Sequence, residues 1–333
     1  MSQTNSQNND IEALQREVQQ LKNEIKRLTE ENQANKEKSR ELTFCNPDDY
    51  VDHSIISQGY SSIYKLVYER EPPKFVKKEL LQTDFKTLRN FISECELLFR
   101  FQHPCIIHVY SVNFGDENHK ASMILKLEKT SLENAIRNNE LSNEDKNRIT
   151  VEIVLGMRYI HKNNFMHRDL KPSHILLSKK NHARISNLSL AKEEKPGESR
   201  EAGIGTLKFM APEVLNEEDN YTRKIDVYSF GIILIYIVTG EYPAFTLRSV
   251  MSGQPPALPE NIVKWTRELI TSCLSFEPEK RPSFDEIFGI MKENNFNLFS
   301  DSKGRNLMGK QLDMKKEIES RIKKIETFEL NNQ

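Results

Sequence analysis

The chain has 333 residues, of which 37% are apolar and 29% charged, and its formal net charge is -1. That is enough for one large two-lobed domain or two ordinary ones, with a real core and a well-solvated surface. The balance of charge excludes a global field that would draw the chain to nucleic acid or to an anionic membrane, so neither is expected as a partner.

Four cysteines, Cys45, Cys95, Cys105 and Cys273, are scattered without metal-ligand or redox spacing. They read as reduced thiols of a cytoplasmic protein. The first ten residues, MSQTNSQNND, are polar, lack an apolar signal region and are expected to be disordered. The longest apolar run lies near FGIILIYIVTG, residues 230–240. It is too short to span a bilayer and suits a buried core helix.

In residues 11–32, Ile11, Leu14, Val18, Leu21, Ile25 and Leu28 recur at alternating steps of three and four. This is a heptad seam with β-branched residues at a and leucine at d, which favours a parallel two-stranded coiled coil and hence a homodimer. Three heptads are few, so such a dimer needs help from elsewhere. The alternative is an amphipathic helix packed on its own domain. Residues 33–48 are mostly polar and read as a linker.

From Tyr50 to about Leu80 the pattern is strand-like, with Gly59 in a turn and Pro72-Pro73 breaking two strands. TDFKTLRNFISECELLFRF then predicts a helix capped by Thr83 or Asp84, with Leu88, Phe91, Ile92, Cys95, Leu98 and Phe99 on one face. IIHVYSVNF and SMILKLE read as further strands. After Leu132 the pattern turns helical. LSNEDKNRITVEIVLGMRYIH opens with Ser142 and, three residues on, Asp145, close to a capping box. Its buried stripe is Ile149, Ile153, Met157 and Ile160. DVYSFGIILIYIVTG is apolar nearly all round and predicts a central buried helix ended by Gly240. In the tail, residues 297–333, the spacing of Ile318, Ile322 and Ile325 predicts a last amphipathic helix.

HRDLKPSHILL (167–177), ARISNLSLAK (183–192), GTLKFMAPEVL (205–215), DVYSFGIIL (226–234) and Arg281-Pro282 stand in one order with fitting gaps. In that order they resemble the protein kinase family, over a domain set at residues 49–296. GTLKFMAPE and DVYSFGIIL look most like the tyrosine-kinase-like branch of the Ser/Thr kinases, and Lys171 is the Ser/Thr-type choice. The resemblance implies an α+β, two-lobed protein kinase fold, with a small β-rich N-lobe and a larger helical C-lobe. It also implies ATP as cofactor and a protein as substrate or partner.

Phosphoryl transfer is mostly positioning and charge neutralisation, so the resemblance implies specific parts. The phosphate lid would be Ser57 to Ile63, where Gly59 alone remains of three glycines and Ile63 can cover an adenine ring. The nucleotide lysine lies in KFVKKEL. Lys78 would share a strand face with Val76 and Leu80, whereas Lys77 would share one with Phe75 and Glu79. Lys78 is preferred, with Glu94 as its partner. Asp169 would be the base, Lys171 would neutralise the transferred group, and Thr206 would bond both. Arg168 would grip a phosphate on the activation segment, 187–213, with Ser199 and Thr206 as candidate acceptors.

The metal ligands depart from the pattern. His174 stands where the family has asparagine, and Asn187 where it has the aspartate of Asp-Phe-Gly. Mg²⁺ prefers carboxylate and other oxygen ligands, and imidazole suits softer ions. The scaffold residues, in contrast, are kept: Glu213 to pair with Arg281, Asp226 to tie the central helix to the His-Arg-Asp turn, and the apolar column Val109, Leu98, Leu188 and His167. Two readings follow: a pseudokinase acting as a signalling scaffold, or a working Ser/Thr kinase with an unusual metal requirement.

Overall fold

The computed structural model describes residues 51–58, 61–67, 74–81, 84–114, 120–195, 205–218, 221–244, 246–300 and 309–331. It also describes Arg16, Gln19, Gln20, Asn23, Glu24 and Arg27, all helical. The apolar seam expected at 11–32, the linker, Gly59 and Ser199 lie outside the described residues. The chain divides into two compact units, one of residues 1–102 and 107–127, the other of 103–106 and 128–333.

The first unit is built on an antiparallel sheet. Its strands are β1 (Val51–Gln58), β2 (Ser61–Val67), β3 (Phe75–Leu80), β4 (Val109–Asn113) and β5 (Ser122–Lys126), in the order β1-β2-β3-β5-β4. β3 is central, and its register pairs Lys78 with Ile63 on one side and with Met123 on the other. The helix α1 (Phe85–Arg100) is capped by Asp84, whose side chain accepts from the Thr87 amide. Of the predicted apolar face, Phe91, Ile92, Cys95, Leu98 and Phe99 are buried. Leu88 is half-buried, and Leu97 is buried beyond the predicted stripe.

The second unit is mainly helical. In chain order it contains β6 (Thr130–Ser131), α2 (Leu132–Arg137), α3 (Asn143–Lys162), β7 (Phe165–Met166), β8 (Ile175–Leu177), β9 (Ala183–Ile185) and β10 (Lys192–Glu193). There follow α4 (Pro212–Leu215), α5 (Lys224–Thr239), α6 (Leu247–Met251), α7 (Lys264–Cys273), α8 (Phe284–Glu293) and α9 (Lys310–Asn331). A full capping box of Ser142 and Asp145 starts α3, and Ile149, Ile153, Met157 and Ile160 are all buried.

Every residue of α5 from Ile225 to Ile237 is buried, which explains why its sequence carries no polar face. Gly240 ends it at φ 82°, a left-handed cap that glycine adopts without Cβ strain. The Arg281 guanidinium meets the Glu213 carboxylate in two parallel bonds of 2.6 and 2.7 Å, both groups buried. Removing one partner of such a pair costs about 3–5 kcal/mol, because a bare charge stays inside. Among the described residues, no helix is long and apolar enough to cross a membrane.

Candidate functional site

In the first unit the strand period puts the two lysines on opposite faces of β3. Val76 and Leu80 are buried on one face of β3, and Lys78 lies between them on that face. Its Nζ sits 2.6 Å from Glu94 Oε2 of α1, and Glu94 is 2% exposed. Lys77 Nζ instead meets Glu79 at 3.1 Å. Ile63 stands opposite Lys78 in the ladder.

In the second unit, the turn between β7 and β8 carries His167, Arg168 and Asp169. Arg168 has φ 66°, a left-handed geometry that a side chain other than glycine adopts only when its surroundings impose it. The buried Asp226 of α5 does so: its carboxylate accepts from the amides of His167 (2.8 Å) and Arg168 (2.9 Å) and faces His161 Nε2 at 2.9 Å. Burial raises the Asp226 pKa more than any single contact lowers it, but the contacts with His161 and His167 together hold the carboxyl below its ordinary value. The Arg168 guanidinium donates to the Tyr221 hydroxyl at 2.7 Å. No motif pointed to Tyr221, and its residue type alone carries no signal for that contact.

Asp169, Lys171 and Thr206 come together. The Thr206 hydroxyl donates to Asp169 Oδ1 at 2.7 Å, Lys171 Nζ donates to Thr206 Oγ1 at 2.7 Å, and Lys171 lies 3.0 Å from Asp169 Oδ2. Gly205, just before Thr206, has φ 116°, and a Cβ there would lie 2.6 Å from the Arg168 carbonyl oxygen. Only glycine fits so close to that backbone.

His174 and Asn187 interlock. His174 Nδ1 lies 2.9 Å from the Asp169 carbonyl oxygen and 3.3 Å from Asp169 Oδ2, so Nδ1 carries the proton and donates. The bare Nε2 then accepts from Asn187 Nδ2 at 3.0 Å. The other end of the Asn187 amide, Oδ1, accepts from the Ser189 hydroxyl at 3.1 Å. Flipping the amide would point its oxygen at Nε2 and would require a doubly protonated ring. Burial forbids that: it pushes the His174 pKa down to about 3, Lys171 and His167 adding to the effect and Asp169 opposing it. His167 is likewise held below its ordinary value by burial, with Nδ1 accepting from the Asp169 amide and Nε2 facing the Ser186 carbonyl at 3.2 Å. Asn187 has φ 61°, which asparagine and aspartate both tolerate, so the turn survives the exchange of one for the other. Leu188 beside it is fully buried.

Comparison with known proteins accords with this arrangement. The family model of the protein kinase domain matches residues 50–290. The chain belongs to the protein kinase family. It is similar to the serine/threonine/tyrosine-protein kinase HT1 of Arabidopsis thaliana, with 29% identity over 73% of this chain and 66% of that protein. Sperm motility kinase 2B of Mus musculus is 30% identical over 72% of this chain and 50% of that protein. A probable serine/threonine-protein kinase of Dictyostelium discoideum is 29% identical over 60% of this chain and only 13% of that protein. The chain thus spans between about an eighth and two thirds of these relatives.

The family uses ATP and a divalent metal and acts on proteins. The residues at the two altered positions do not fit that metal. Imidazole Nε2 and amide Nδ2 are turned on each other, and the amide oxygen is taken by Ser189. A hard divalent cation would need oxygen ligands and negative charge from these two side chains, and they offer one amide oxygen, already accepting from Ser189, and no negative charge.

Proposed function

We propose that this chain is a kinase-fold protein with impaired phosphoryl transfer, working as a signalling pseudokinase that binds a protein partner in the cytoplasm. One observation carries the reading: the neutral His174 ring and the Asn187 amide satisfy each other where two metal ligands are needed. Loss of one carboxylate contact to a divalent cation, at an effective dielectric near 20, removes several kcal/mol of attraction. Each 1.36 kcal/mol is tenfold in rate. Nucleotide binding is a separate matter. The Lys78–Glu94 pair is formed, and with Val76 and Ile63 it supports ATP as a ligand, while Gly59 remains the one glycine of the lid. In this reading residues 11–32 join two copies through their heptad seam, residues 49–296 form the kinase domain, and residues 297–333 form its helical tail.

A thermal-shift titration with ATP tests it. The stabilisation should be the same in EDTA, Mg²⁺ and Mn²⁺, following free ligand over Kd. A shift that appears only with Mg²⁺ contradicts it.

A second reading has its own support. Asp169, Thr206 and Lys171 form a connected set, which favours a working Ser/Thr kinase with weak or unusual metal dependence. There Asp169 would accept the proton of the substrate hydroxyl, Lys171 would steady the transferred group, and Arg168 would order the activation segment. Restoring Asn187→Asp together with His174→Asn should then raise an activity already measurable in the wild type.

A further inference from the structure

The helix α9 lies beyond the last residue of the family match, so the family's pattern gives it no role. Its apolar stripe, Met314, Ile318, Ile322 and Ile325, is buried, and α3 is its packing partner. Polar contacts secure it at intervals. Arg148 of α3 donates to Glu317 at 2.8 Å, Arg321 donates to Glu152 of α3 at 2.7 Å, and Glu329 meets His103 Nε2 at 3.0 Å.

Two of these contacts continue into β9. The first runs through Glu152, which is fully buried. The carboxylate that receives Arg321 on Oε1 also faces His182 Nδ1 at 2.9 Å and accepts from the Ala183 amide on Oε2 at 2.7 Å. The second runs through His103. Its Nδ1 accepts from the Cys105 amide at 3.1 Å, so its Nε2 carries the proton and donates to Glu329. The ring also stacks on Tyr159 of α3 at 4.7 Å. The Cys105 carbonyl then accepts from the Ile185 amide at 2.8 Å, and Ile106 bridges Ile185 in parallel. Ala183, at one end of β9, is therefore held by a residue that α9 holds, and Ile185, at the other, by Cys105, whose amide bonds the His103 that α9 holds. The next residue, Ser186, donates its amide (2.8 Å) and its hydroxyl (3.0 Å) to the His174 carbonyl, and Asn187 follows it.

We propose that α9 is a brace for β9: Arg321 and Glu329 are positioning residues that act through Glu152 and His103 to hold Ser186 and Asn187 against His174. Drawing α9 off α3 would loosen the strand that leads into Asn187. Contiguous hydrogen bonds and packed side chains are one physical route by which such coupling travels. The inference concerns the site of the reading above, but amide exchange needs no nucleotide, so either idea can fail without the other.

Hydrogen exchange on the full chain tests it, comparing wild type with Glu329→Ala, Arg321→Ala and, as a control, Arg267→Ala. Arg267 bonds the Leu258 carbonyl far along the chain and touches neither route. Glu329→Ala leaves the apolar stripe in place, so it should fold even if Arg321→Ala, which takes the arginine cation from the buried Glu152, does not. Glu329→Ala should speed exchange of the Ile185 and Ser186 amides roughly tenfold, the factor expected for one lost hydrogen bond to a charged group. The interior amides of α7 should not change, and the His174 ring ¹⁵N signals should shift. Unchanged exchange at Ile185 in Glu329→Ala, an equal rise in α7, or the same local rise in Arg267→Ala would overturn the proposal.

Discussion

Changing Asn187→Asp by itself should fail to rebuild a metal site, because His174 will capture the new carboxylate. The wild-type ring is neutral, with its Nε2 lone pair aimed at Asn187 Nδ2 from 3.0 Å. Protonating it at pH 7 is uphill by the gap between 7 and its pKa of about 3, which is about 5.4 kcal/mol at 1.36 kcal/mol per unit. A carboxylate oxygen at the same 3.0 Å attracts an imidazolium by about 5.5 kcal/mol at an effective dielectric of 20. The two nearly cancel. In Asn187→Asp the His174 pKa should therefore climb to about neutrality, and the new charge should be spent on an internal ion pair. Adding His174→Asn removes the competitor and supplies an amide oxygen, so the double variant, unlike either single one, should show Mg²⁺-dependent stabilisation by ATP. Side-chain ¹H–¹⁵N spectra across pH 4 to 8 read the pKa, and thermal shifts with ATP and Mg²⁺ read the site. The reasoning fails if His174 of Asn187→Asp titrates below about pH 5, or if that variant alone matches the double one with Mg²⁺.

Lys78→Ala should lower the melting temperature by several degrees, because Glu94 is left buried without its cation, and should abolish the ATP shift. Lys77→Ala should do neither; equal effects would return the strand register to doubt. His103, His167 and His174 all have folded pKa values below the unfolded value of about 6.5, burial being the first cause in each. The unfolded chain then binds more protons below that pH, so their stability is present above about 6.5 and lost as pH falls toward the folded values. Urea midpoints should drop from pH 7 to pH 5, and His174→Asn should flatten that drop; an unchanged slope would exclude His174 as a contributor. Gly205→Ala should destabilise by about 1–3 kcal/mol, since it combines φ 116° with a 2.6 Å approach to the Arg168 carbonyl. Denaturant unfolding that matches wild type would argue against that close approach.

The fold was legible because its signals are one-dimensional. Periods of two and 3.6, an all-apolar α5 and a glycine at its end survive projection onto the sequence. So does the order of the motifs from His167 to Arg281, and the family match covers the same stretch. The face that Lys78 shares was readable as well, since Val76 and Leu80 mark one face of β3. The interlock of His174 with Asn187 was not. The spacing marked His174 and Asn187 as departures from the resembled pattern, but which nitrogen bears the proton depends on the Asp169 carbonyl and on burial. The Arg168–Tyr221 contact needs two backbones to meet, and nothing in either residue type announces it. The spacing of Ile318, Ile322 and Ile325 revealed a face without a partner. Glu329 and His103 are 226 positions apart, and only the folded chain joins them.

The central claim is that the paired change at His174 and Asn187 disables metal-assisted phosphoryl transfer while the kinase scaffold stands. Transfer of labelled phosphate from ATP to protein, with Mg²⁺ or Mn²⁺ and with Asp169→Asn as the matched blank, tests it most directly. The account predicts incorporation no greater than in that blank. Robust Mg²⁺-dependent incorporation that Asp169→Asn abolishes would contradict it.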